Sequence, residues 1–461
     1  MNDSAVHRHP SGNGQPHRNE GPSETLSRPC IHSETALKPA AGYLNNDSGA
    51  LNNVGSNGNC WSASPNPSNN NNAYNLNFNP NGNVNPVNNN NRSNGFPVRC
   101  LQASDDSGSS LLTDLFTAYF CARRNKRNTS AQVRFERNLS DNLMALYEDI
   151  VSSRYRPGRS MCFVIKDPVY REVFAASFRD RIVHHLLYNW LAPVFERYFI
   201  YDSYSCREGK GTLFGVRRLE HHIRSCSRNY TRECYILKLD IEGYFMSINR
   251  QRLFDIVSAR LLSHSAKHKC AFDVPLALSL LSLVIFNDPT RGCYRKGRLS
   301  DWDNIPRSKS LFRAAPGCGL PIGNLTSQLF SNIYLSLLDD YVKRDLKFSH
   351  YGRYVDDFYL VSQSKEELLQ AIPRIRNFLK ETLSLKLHPK KVHLVPMEKG
   401  VRFLGAVVRP YFTYPHADLL RRARTHFFDV LTEEENPYLI KAVAVSYKSL
   451  FPSVLRLPVS F

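Results

Sequence analysis

Residues Tyr351 to Ser362 read YGRYVDDFYLVS, where two adjacent aspartates, Asp356 and Asp357, interrupt a run that otherwise alternates like a β-strand. Taken alone, such a pair is typical of a surface turn between two strands. Buried or half-buried carboxylates, however, cost free energy unless cations accompany them. Whether the pair is a surface turn or part of a functional site therefore depends on the charged residues elsewhere in the chain.

A third acidic residue ends another predicted strand. Asp240 follows the β-rich run YILKL, and a long helical pattern starting at Gly323 lies between it and the Asp356–Asp357 pair. Carboxylates bind Mg2+ in enzymes of phosphoryl transfer, where two ions clamp the attacking and leaving oxygens. The three acids together predict such a two-metal site. The alternative, a plain turn and a plain strand end, agrees less well with the intervening helix and with the charge of the chain.

The chain is strongly basic. Its 461 residues carry a net charge of +19 and its pI is near 9.5, which indicates nucleic acid as a partner, with a merely basic soluble surface as the alternative. The longest apolar run, Val274 to Phe286, is too short to cross a bilayer and predicts a buried helix. With no signal-peptide core and no C-x-x-C among 11 cysteines, we expect reduced thiols, a cytoplasmic location and no membrane partner.

Two compositions follow each other along the chain. Residues 1–105 are polar, with 22 Asn among the 50 residues from Asn45 to Asn94. We expect this extension to be disordered, because it cannot bury enough apolar surface to offset the entropy of ordering. From residue 106 onward, helical patterns alternate irregularly with strand patterns such as CFVIKDPVYREVF, a predicted hairpin. This order predicts an α+β fold rather than a doubly wound parallel sheet.

Three blocks, LKLDIEGYFMSI, GLPIGNLTSQLFSNIYL and YGRYVDDF, resemble motifs A, B and C of reverse transcriptases and follow in the same order. The blocks YRPG, FRDRIVHH, DSYSCREGKGT, LKLHPKKVHLVP and GVRFLGAVV agree, so that the resemblance covers roughly residues 110–410. It implies a right-hand polymerase. The fingers, with part of the palm, would occupy residues 106–235, and the palm residues 236–408, with an inserted fingers or linker segment at 260–315. A helical thumb would occupy residues 409–461.

Motif B narrows this resemblance. In LPIGNLTSQ, Ile322 stands where related enzymes have glutamine, and Gln328 stands where a proline is usual. Together with REVFAASFRDRIVHH and KSLF, this form looks like the reverse transcriptases of diversity-generating retroelements. Those enzymes copy a template-repeat RNA into cDNA with errors concentrated at adenines, and the cDNA then replaces a variable region of a target gene.

The resemblance also implies the residues of the active site. Asp240, Asp356 and Asp357, with the backbone carbonyl of Ile241, would be the catalytic and metal-binding residues, and two Mg2+ ions, or Mn2+ in their place, the cofactor. The residues that meet the incoming dNTP would be Lys166, Arg171, Phe245, Ile322, Gln328 and Lys391, with Lys390 as an alternative to Lys391. The primer grip would be Phe403, Leu404 and Gly405.

Two of these residues would set substrate selection. Phe245 would reject a ribose 2′-OH by steric clash. Ile322 offers no hydrogen bonds of the kind that glutamine offers, so the checking of the nascent base pair would be looser. Without the resemblance, Phe245 would indicate core packing, and Lys166 and Arg171 a solvated charged hairpin.

Residues 38–103 resemble the C-terminal part of a variable protein with a C-type-lectin-like fold, with Asn in place of aromatic and small polar residues. Because both Asn codons begin with two adenines, we interpret this stretch as a translated template repeat. An Asn-rich tail with its own role is one alternative; a fused binding domain is another, although so short a segment holds too little core. The implied partners are template-repeat RNA, the cDNA/RNA duplex, dNTPs and a small basic helical accessory protein, itself oligomeric.

Two other functions stay open. The first is a reverse transcriptase of intron or defence type with ordinary fidelity, and the residues at positions 322 and 328 speak against it. The second is a catalytically silent RNA-binding scaffold, and the complete set of three aspartates speaks against that.

Overall fold

A computed structural model describes residues 41–44, 51–54, 58–65, 72–78, 84–91, 107–124, 129–166 and 169–433. The chain divides into two compact units, Met1–Gln102 and Ala103–Phe461. The remaining parts of the predicted extension and of the predicted thumb, including residues 1–40 and 434–461, lie outside the described residues, so the predictions made for them stay predictions.

The first unit contains five short strands. β1 (Ala41–Leu44) and β2 (Leu51–Val54) form an antiparallel pair, and β3 (Gly58–Pro65), β4 (Asn72–Phe78) and β5 (Val84–Asn91) form a three-stranded antiparallel sheet. These short strands are the described part of the extension predicted to be disordered, residues 1–105, and the disorder of that extension stays a prediction. The sequence of β4, NAYNLNF, does alternate apolar and polar residues with period two, a pattern that an average over composition does not show.

The second unit mixes helices and strands, in agreement with the predicted α+β class. Its helices are α1 (Ser107–Arg123), α2 (Ser130–Glu136), α3 (Leu139–Val151), α4 (Phe178–Glu196), α5 (Thr212–Cys226), α6 (Tyr244–Ser247), α7 (Arg250–Ser265), α8 (Val274–Phe286), α9 (Leu325–Asp340), α10 (Lys365–Leu383) and α11 (Ala417–Glu433). Its strands are β6 (Met161–Ile165), β7 (Arg171–Ala175), β8 (Tyr235–Asp240), β9 (Tyr294–Lys296), β10 (Tyr351–Tyr354), β11 (Asp357–Ser362), β12 (His393–Pro396), β13 (Val401–Phe403), β14 (Ala406–Arg409) and β15 (Phe412–Pro415).

A four-stranded antiparallel sheet lies at the centre of this unit, in the order β10-β11-β8-β12. The hairpin predicted at residues 351–362 is confirmed as β10 and β11. Alternate residues of the central strands enter two different cores: Leu239 and Phe358 join the larger cluster, whereas Ile236 and Tyr359 join a smaller one. Because both faces of the sheet are covered, these strands are almost continuously apolar.

Helix α9 lies against this sheet and against α4. Two polar side chains at its start, those of Asn324 and Thr326, make contacts outside the helix. Asn324 occupies the N-cap position, and its Oδ1 accepts a hydrogen bond from the Ala176 backbone at 3.4 Å. Thr326 Oγ1 lies 2.8 Å from His184 Nδ1. These residues therefore tie α9 to α4 and to the segment after β7.

The apolar run of residues 274–286 is helix α8, and buried side chains such as Leu280 and Leu281 attach it to the main core. This confirms the prediction of a buried helix. Within the described ranges, no helix is long and apolar enough to cross a membrane.

The predicted hairpin at residues 162–174 is confirmed as β6 and β7, which pair antiparallel. A third strand, β9, joins β6 in parallel. Strand β9 comes from the fingers or linker segment predicted as an insertion at 260–315, so this segment contributes a strand to the sheet of the fingers hairpin.

The region predicted as a helical thumb, residues 409–461, begins with a strand. β15 pairs with β14 and completes a three-stranded antiparallel sheet with β13. Its sequence, FTYP, is rich in aromatic and β-branched residues, which favour strands. The predicted helix then follows as α11.

Candidate active site

Three aspartates meet at one edge of the central sheet. Asp240 ends β8 and Asp357 begins β11, and the two residues face each other as cross-strand partners. Asp356 lies in the tight turn between β10 and β11, directly after Val355, whose φ of 56° is left-handed. That conformation is uncommon for a β-branched residue. The structure thus brings together the three acids that the sequence singles out.

The acids stand in a half-buried, electrostatically crowded position. Burial and the negative charge of Asp240 raise the pKa of Asp356 to about 6. Burial also raises the pKa of Asp357 to about 6, although Lys238 acts in the opposite direction. One oxygen of Asp357, Oδ1, is buried and has no hydrogen-bond partner in the protein. A carboxylate oxygen left in this way is costly unless a cation or a donor reaches it.

Two lysines already lie on these carboxylates. Lys391 Nζ is 2.8 Å from Asp240 Oδ2, and Lys238 Nζ is 3.0 Å from Asp357 Oδ2. Of the two neighbouring lysines that the sequence leaves open, it is therefore Lys391, not Lys390, that reaches the acids. Lys238 was missed. It stands two residues before Asp240 on β8, and that spacing places both side chains on the same face of a strand, so the signal was present.

The donor set suits a divalent cation, although the side chains do not form a closed cage. Among the residues that the structure describes, no three His, Cys, Asp or Glu side chains are gathered so as to hold a metal ion as they stand. The three carboxylates and the unpartnered Asp357 oxygen nevertheless match the oxygen ligands that Mg2+ prefers. Ile241, whose carbonyl was predicted as a further ligand, follows β8 and bridges Leu387. Without a bound cation, the ammonium groups of Lys391 and Lys238 are the positive charges that lie on these carboxylates.

The two predicted triphosphate-binding residues are placed differently. Arg171 begins β7 and is close enough to Asp356 that its charge opposes the burial that raises the pKa of this carboxyl. Lys166 Nζ instead pairs with Asp301, at 2.8 Å. The structure therefore brings Arg171, but not Lys166, to the three aspartates.

A lysine that sequence reasoning left without a role lies beside Arg171. Burial lowers the pKa of Lys309, as do the charges of Arg171 and Lys391, while Asp356 and Asp240 act in the opposite direction. Lys309 ends a short 3-10 turn, Arg307–Lys309, in the block KSLF.

The buried carboxylate of Glu172 fixes the residues that follow Lys309. Its oxygens accept hydrogen bonds from Ser310 Oγ and from the Leu311 backbone, both at 2.7 Å. Glu172 directly follows Arg171 on β7, and Ser310 directly follows Lys309. The hydrogen bonds of Glu172 therefore keep the segments of Arg171 and Lys309 next to each other. The partners are 138 and 139 residues apart in the chain, a pairing that a single sequence does not reveal.

Phe245 and Ile322 pack against the same apolar cluster, which includes buried Phe174 and Met246. Phe245 lies in α6, and its carbonyl accepts a hydrogen bond from the Leu320 backbone at 2.8 Å. The Ile322 carbonyl accepts one from Phe174, also at 2.8 Å. The predicted selectivity residues of motifs A and B therefore share one patch, whereas Gln328 is exposed in the first turn of α9.

The close approach of motif B to β7 requires glycine at position 323. Gly323 has a φ of +118°, and a Cβ there would lie 2.8 Å from the carbonyl oxygen of Phe174. A larger residue would push the Ile322 loop away from the fingers hairpin.

The predicted primer grip is the turn between β13 and β14. Leu404 and Gly405 both have positive φ, 49° and 86°. The buried ring of Phe403 packs edge-on against Tyr359 of β11, with centroids 5.1 Å apart, and Lys238 Nζ lies 5.9 Å from the same ring. This turn is thus anchored on the strand that carries Asp357.

Two curated proteins are similar to this chain. Protein YkfC of Escherichia coli (strain K12) is 23% identical over 304 residues, which cover 58% of this chain and 71% of that protein. The putative COX1/OXI3 intron 2 protein of Saccharomyces cerevisiae (strain ATCC 204508 / S288c) is 21% identical over 300 residues, which cover 56% of this chain but only 33% of the yeast protein.

Solved structures of telomerases are also similar. Telomerase from Candida albicans, in complex with a TWJ fragment of telomeric RNA, has a TM-score of 0.41 and 14% identity, covering 68% of this chain and 61% of its own. Apo telomerase from Candida tropicalis, truncated from its C-terminal domain, has a TM-score of 0.40 and 11% identity, covering 60% of both chains. This chain therefore spans about three fifths of these two telomerase chains.

A family model described as reverse transcriptase (RNA-dependent DNA polymerase) matches residues 166–408, more than half of the chain. The matched range includes β7 of the fingers hairpin, the edge with the three aspartates, the motif B helix and the β13–β14 turn. The chain belongs to the reverse transcriptase family of RNA-dependent DNA polymerases.

Proposed function

We propose that this reverse transcriptase is the polymerase of a diversity-generating retroelement. It copies a template-repeat RNA into cDNA with errors concentrated at adenines, and the cDNA replaces a variable region of a target gene. The observation that carries the proposal is Ile322, an apolar residue in the motif B loop that packs in one cluster with Phe245. Its side chain cannot hydrogen-bond to a nascent base pair, so the geometry of the pair is checked less strictly.

Nucleotide addition is an in-line attack of the primer 3′-hydroxyl on the α-phosphate of a dNTP, with pyrophosphate leaving. Enzymes of this family generally use divalent metal ions. Two Mg2+ ions, or Mn2+ in their place, would be held by Asp240, Asp356, Asp357 and the carbonyl of Ile241, and would neutralise charge on the phosphate oxygens. When these carboxylates bind the cations, Lys391 and Lys238 become available to other anionic groups.

The cations around the aspartates suit the triphosphate. Arg171 offers a planar fork of donors and Lys309 a point charge beside it. Lys166, which pairs with Asp301 in this structure, is the further cation that the resemblance implies for the triphosphate. Phe245 lies against the sugar and Gln328 faces the nucleotide from the start of α9. Lys391 donates a proton to the leaving pyrophosphate, and the Phe403–Gly405 turn holds the primer strand.

Replacing Lys391 with methionine should lower the rate constant of single-nucleotide addition by roughly 100-fold, the usual contribution of a positioned general acid. The matched variant Lys390→Met should leave that rate nearly unchanged, because only Lys391 reaches Asp240. Single-turnover primer extension with each variant measures both rates. An equal loss in the two variants would show that charge density, rather than proton donation by Lys391, matters here.

The partners proposed for the enzyme follow from the same reading. Residues 38–103 represent the translated template repeat, whose Asn codons mark template adenines. The working complex contains the template-repeat RNA, the growing cDNA/RNA duplex and a small basic helical accessory protein, which is oligomeric. Arginine and lysine side chains bind the RNA chiefly through its phosphates.

The errors themselves provide the test. The purified enzyme, with template-repeat RNA and accessory protein, copies the stretch that encodes residues 41–102, and the cDNA is sequenced. We expect substitutions clustered at template adenines. Faithful cDNA, together with the absence of a near-copy of this stretch in the flanking DNA, would contradict the proposal while leaving the polymerase activity intact.

Ile322→Gln should lower the misincorporation frequency opposite adenine by roughly tenfold or more, since a mispair that leaves the glutamine amide without its hydrogen-bond partner costs about 1–3 kcal/mol. Ile322→Val is the matched control, because it keeps an apolar β-branched side chain, and its error frequency should equal that of the wild type. Sequencing of cDNA made by the three enzymes from one template gives the comparison. Unchanged errors in Ile322→Gln would remove Ile322 from the explanation.

A second candidate is an intron-type reverse transcriptase of ordinary fidelity. The similarity to a yeast protein named for an intron favours it. The same sequencing experiment decides between the two, because an enzyme of this kind makes errors without preference for adenine.

A further inference from the structure

A buried ion pair lies directly behind the turn that carries Asp356. Arg353 on β10 and Asp339 near the end of α9 both have no solvent-exposed side-chain surface. Arg353 Nε lies 2.7 Å from Asp339 Oδ1, and one terminal nitrogen lies 2.6 Å from Oδ2, so that the guanidinium and the carboxylate meet as two parallel forks. The Tyr351 hydroxyl donates a third hydrogen bond to Oδ1, at 2.7 Å.

The other donors of the same guanidinium reach three different segments. One terminal nitrogen donates to the backbone carbonyl of Val355 at 3.0 Å and to Asn332 Oδ1 on α9 at 3.5 Å. The other also donates to Ser203 Oγ, at 3.3 Å. All five N–H groups of Arg353 therefore have acceptors, and the group connects α9, the segment around Ser203 and the motif C turn.

The contact with Val355 is made at the strained point of the turn. Val355 has a φ of 56°, and a non-glycine residue in this region costs on the order of 1–3 kcal/mol. Such a conformation persists only where the surroundings hold it in place. The Val355 carbonyl belongs to the peptide unit that leads into Asp356, so a donor fixed on this carbonyl also fixes the start of that residue.

Stability alone does not account for this pair. Replacing a buried ion pair with well-packed apolar side chains of similar size is often neutral or stabilising, because burial of two charges costs about as much as their attraction returns. A geometrical role gives the pair a reason to be there: a guanidinium locked by Asp339 has a fixed direction in which to present its remaining donors.

We propose that Arg353, held by Asp339, is a positioning residue for nucleotide addition: its hydrogen bond to the Val355 carbonyl keeps the left-handed turn that sets the place of Asp356. The inference rests on the role proposed for Asp356. It also assigns α9, the motif B helix, a part in placing a motif C carboxylate.

The test separates position from stability. In Arg353→Met/Asp339→Leu/Tyr351→Phe, all charges of the pair and the hydroxyl that would lose its acceptor are replaced with apolar groups of similar size. We expect a folded protein with a lower urea midpoint, because the Val355 carbonyl, Asn332 Oδ1 and Ser203 Oγ lose the donors of Arg353. The KM for dNTP should change little. We expect kcat to fall by roughly 100-fold, the size of loss caused by about 1 Å of misplacement at a reacting group.

Arg260→Met serves as the matched control. Arg260 pairs with Asp340, the next residue of α9, at 3.3 Å and also bonds to Ser336 on that helix. The substitution therefore removes an arginine–aspartate pair from the same helix without changing the contact to the Val355 carbonyl. The kcat of this variant should stay near the wild-type value. A triple variant that is folded and has wild-type kcat would overturn the proposal.

A second variant keeps the question open to experiment if the triple variant does not fold. Arg353→Lys keeps a positive charge for Asp339 but has no fork with which to reach Val355 at the same time. We expect a loss in kcat of roughly tenfold or more and faster amide exchange in the peptide that contains Val355. Wild-type kcat and exchange in this variant would likewise overturn the proposal. Asp356→Asn separates a failure of this inference from a failure of the role proposed for Asp356. If that variant stays active, Asp356 does not have the proposed role.

Discussion

Asp356→Asn should abolish primer extension and, in the same protein, raise the free energy of unfolding at neutral pH. The loss of activity should be on the order of 1000-fold or more, because a carboxylate that organises charge at the reacting phosphate is removed. The gain in stability has a separate cause. Burial and the charge of Asp240 raise the pKa of Asp356 from 3.8 to about 6, so the ionised carboxylate is disfavoured in the folded protein.

The pH dependence follows from the direction of this shift. The folded protein binds the proton of Asp356 more tightly than the unfolded chain does. Its contribution to stability is therefore complete below the unfolded pKa near 3.8 and is lost as the pH rises through about 6. Above that range, the ionised carboxylate costs about 3 kcal/mol. Asparagine has no such cost, so the difference between variant and wild type should be larger at pH 7.5 than at pH 5.

Urea unfolding of both proteins at these two pH values, with a chelator present, measures the stability difference, and single-turnover extension measures the activity. Asp255→Asn is the matched control. Asp255 is an exposed carboxylate on α7 that accepts a hydrogen bond from Gln251, and its removal should change neither quantity. Full activity of Asp356→Asn would favour the RNA-binding scaffold, and lower stability at pH 7.5 would show that Asp356 supports the fold.

The sequence predicts the edge with the three aspartates because the strand pattern beside each aspartate lies within a few neighbouring residues. Asp240 and the Asp356–Asp357 pair each end or begin a strand whose apolar run is visible in a few residues, and antiparallel pairing then brings them together. Lys238 could have been found by the same rule, since residues two apart on a strand share a face.

The contacts that hold the active-site segments in place could not be predicted from local strand patterns. Glu172 meets Ser310 and Leu311, and Arg353 meets Ser203 at a separation of 150 residues. Such pairs depend on how separate segments pack, and neither partner carries a periodic pattern that points to the other. The strand β15 shows the opposite case: its residues favour a strand locally, but the helical pattern that follows it dominated the prediction.

Phe245→Ala should allow the enzyme to incorporate ribonucleotides. The ring lies at the junction of motifs A and B, packs against the cluster shared with Ile322, and contacts the Tyr244 ring at a centroid distance of 5.4 Å. Its backbone is held by the hydrogen bond from Leu320. A ring fixed on two sides cannot move away from a 2′-hydroxyl, so it discriminates by clash.

Removal of the ring opens space for that hydroxyl, and discrimination between dNTP and rNTP should fall by about 10–200-fold, a range typical of a change in pocket size. Competition between dCTP and rCTP in single-nucleotide extension measures the ratio of kcat/KM values directly. Some stability, about 1–3 kcal/mol, should also be lost because Phe245 is partly buried in contact with two clusters.

Phe254→Ala controls for this loss. Phe254 is also partly buried, but it packs on Phe286 between α7 and α8, with centroids 5.6 Å apart. A similar decrease in stability with unchanged sugar discrimination is expected there, because this ring is on neither motif. If the two variants discriminated equally well against ribonucleotides, Phe245 would be a packing residue, and selection of the sugar would have to reside in the backbone of the α6 turn.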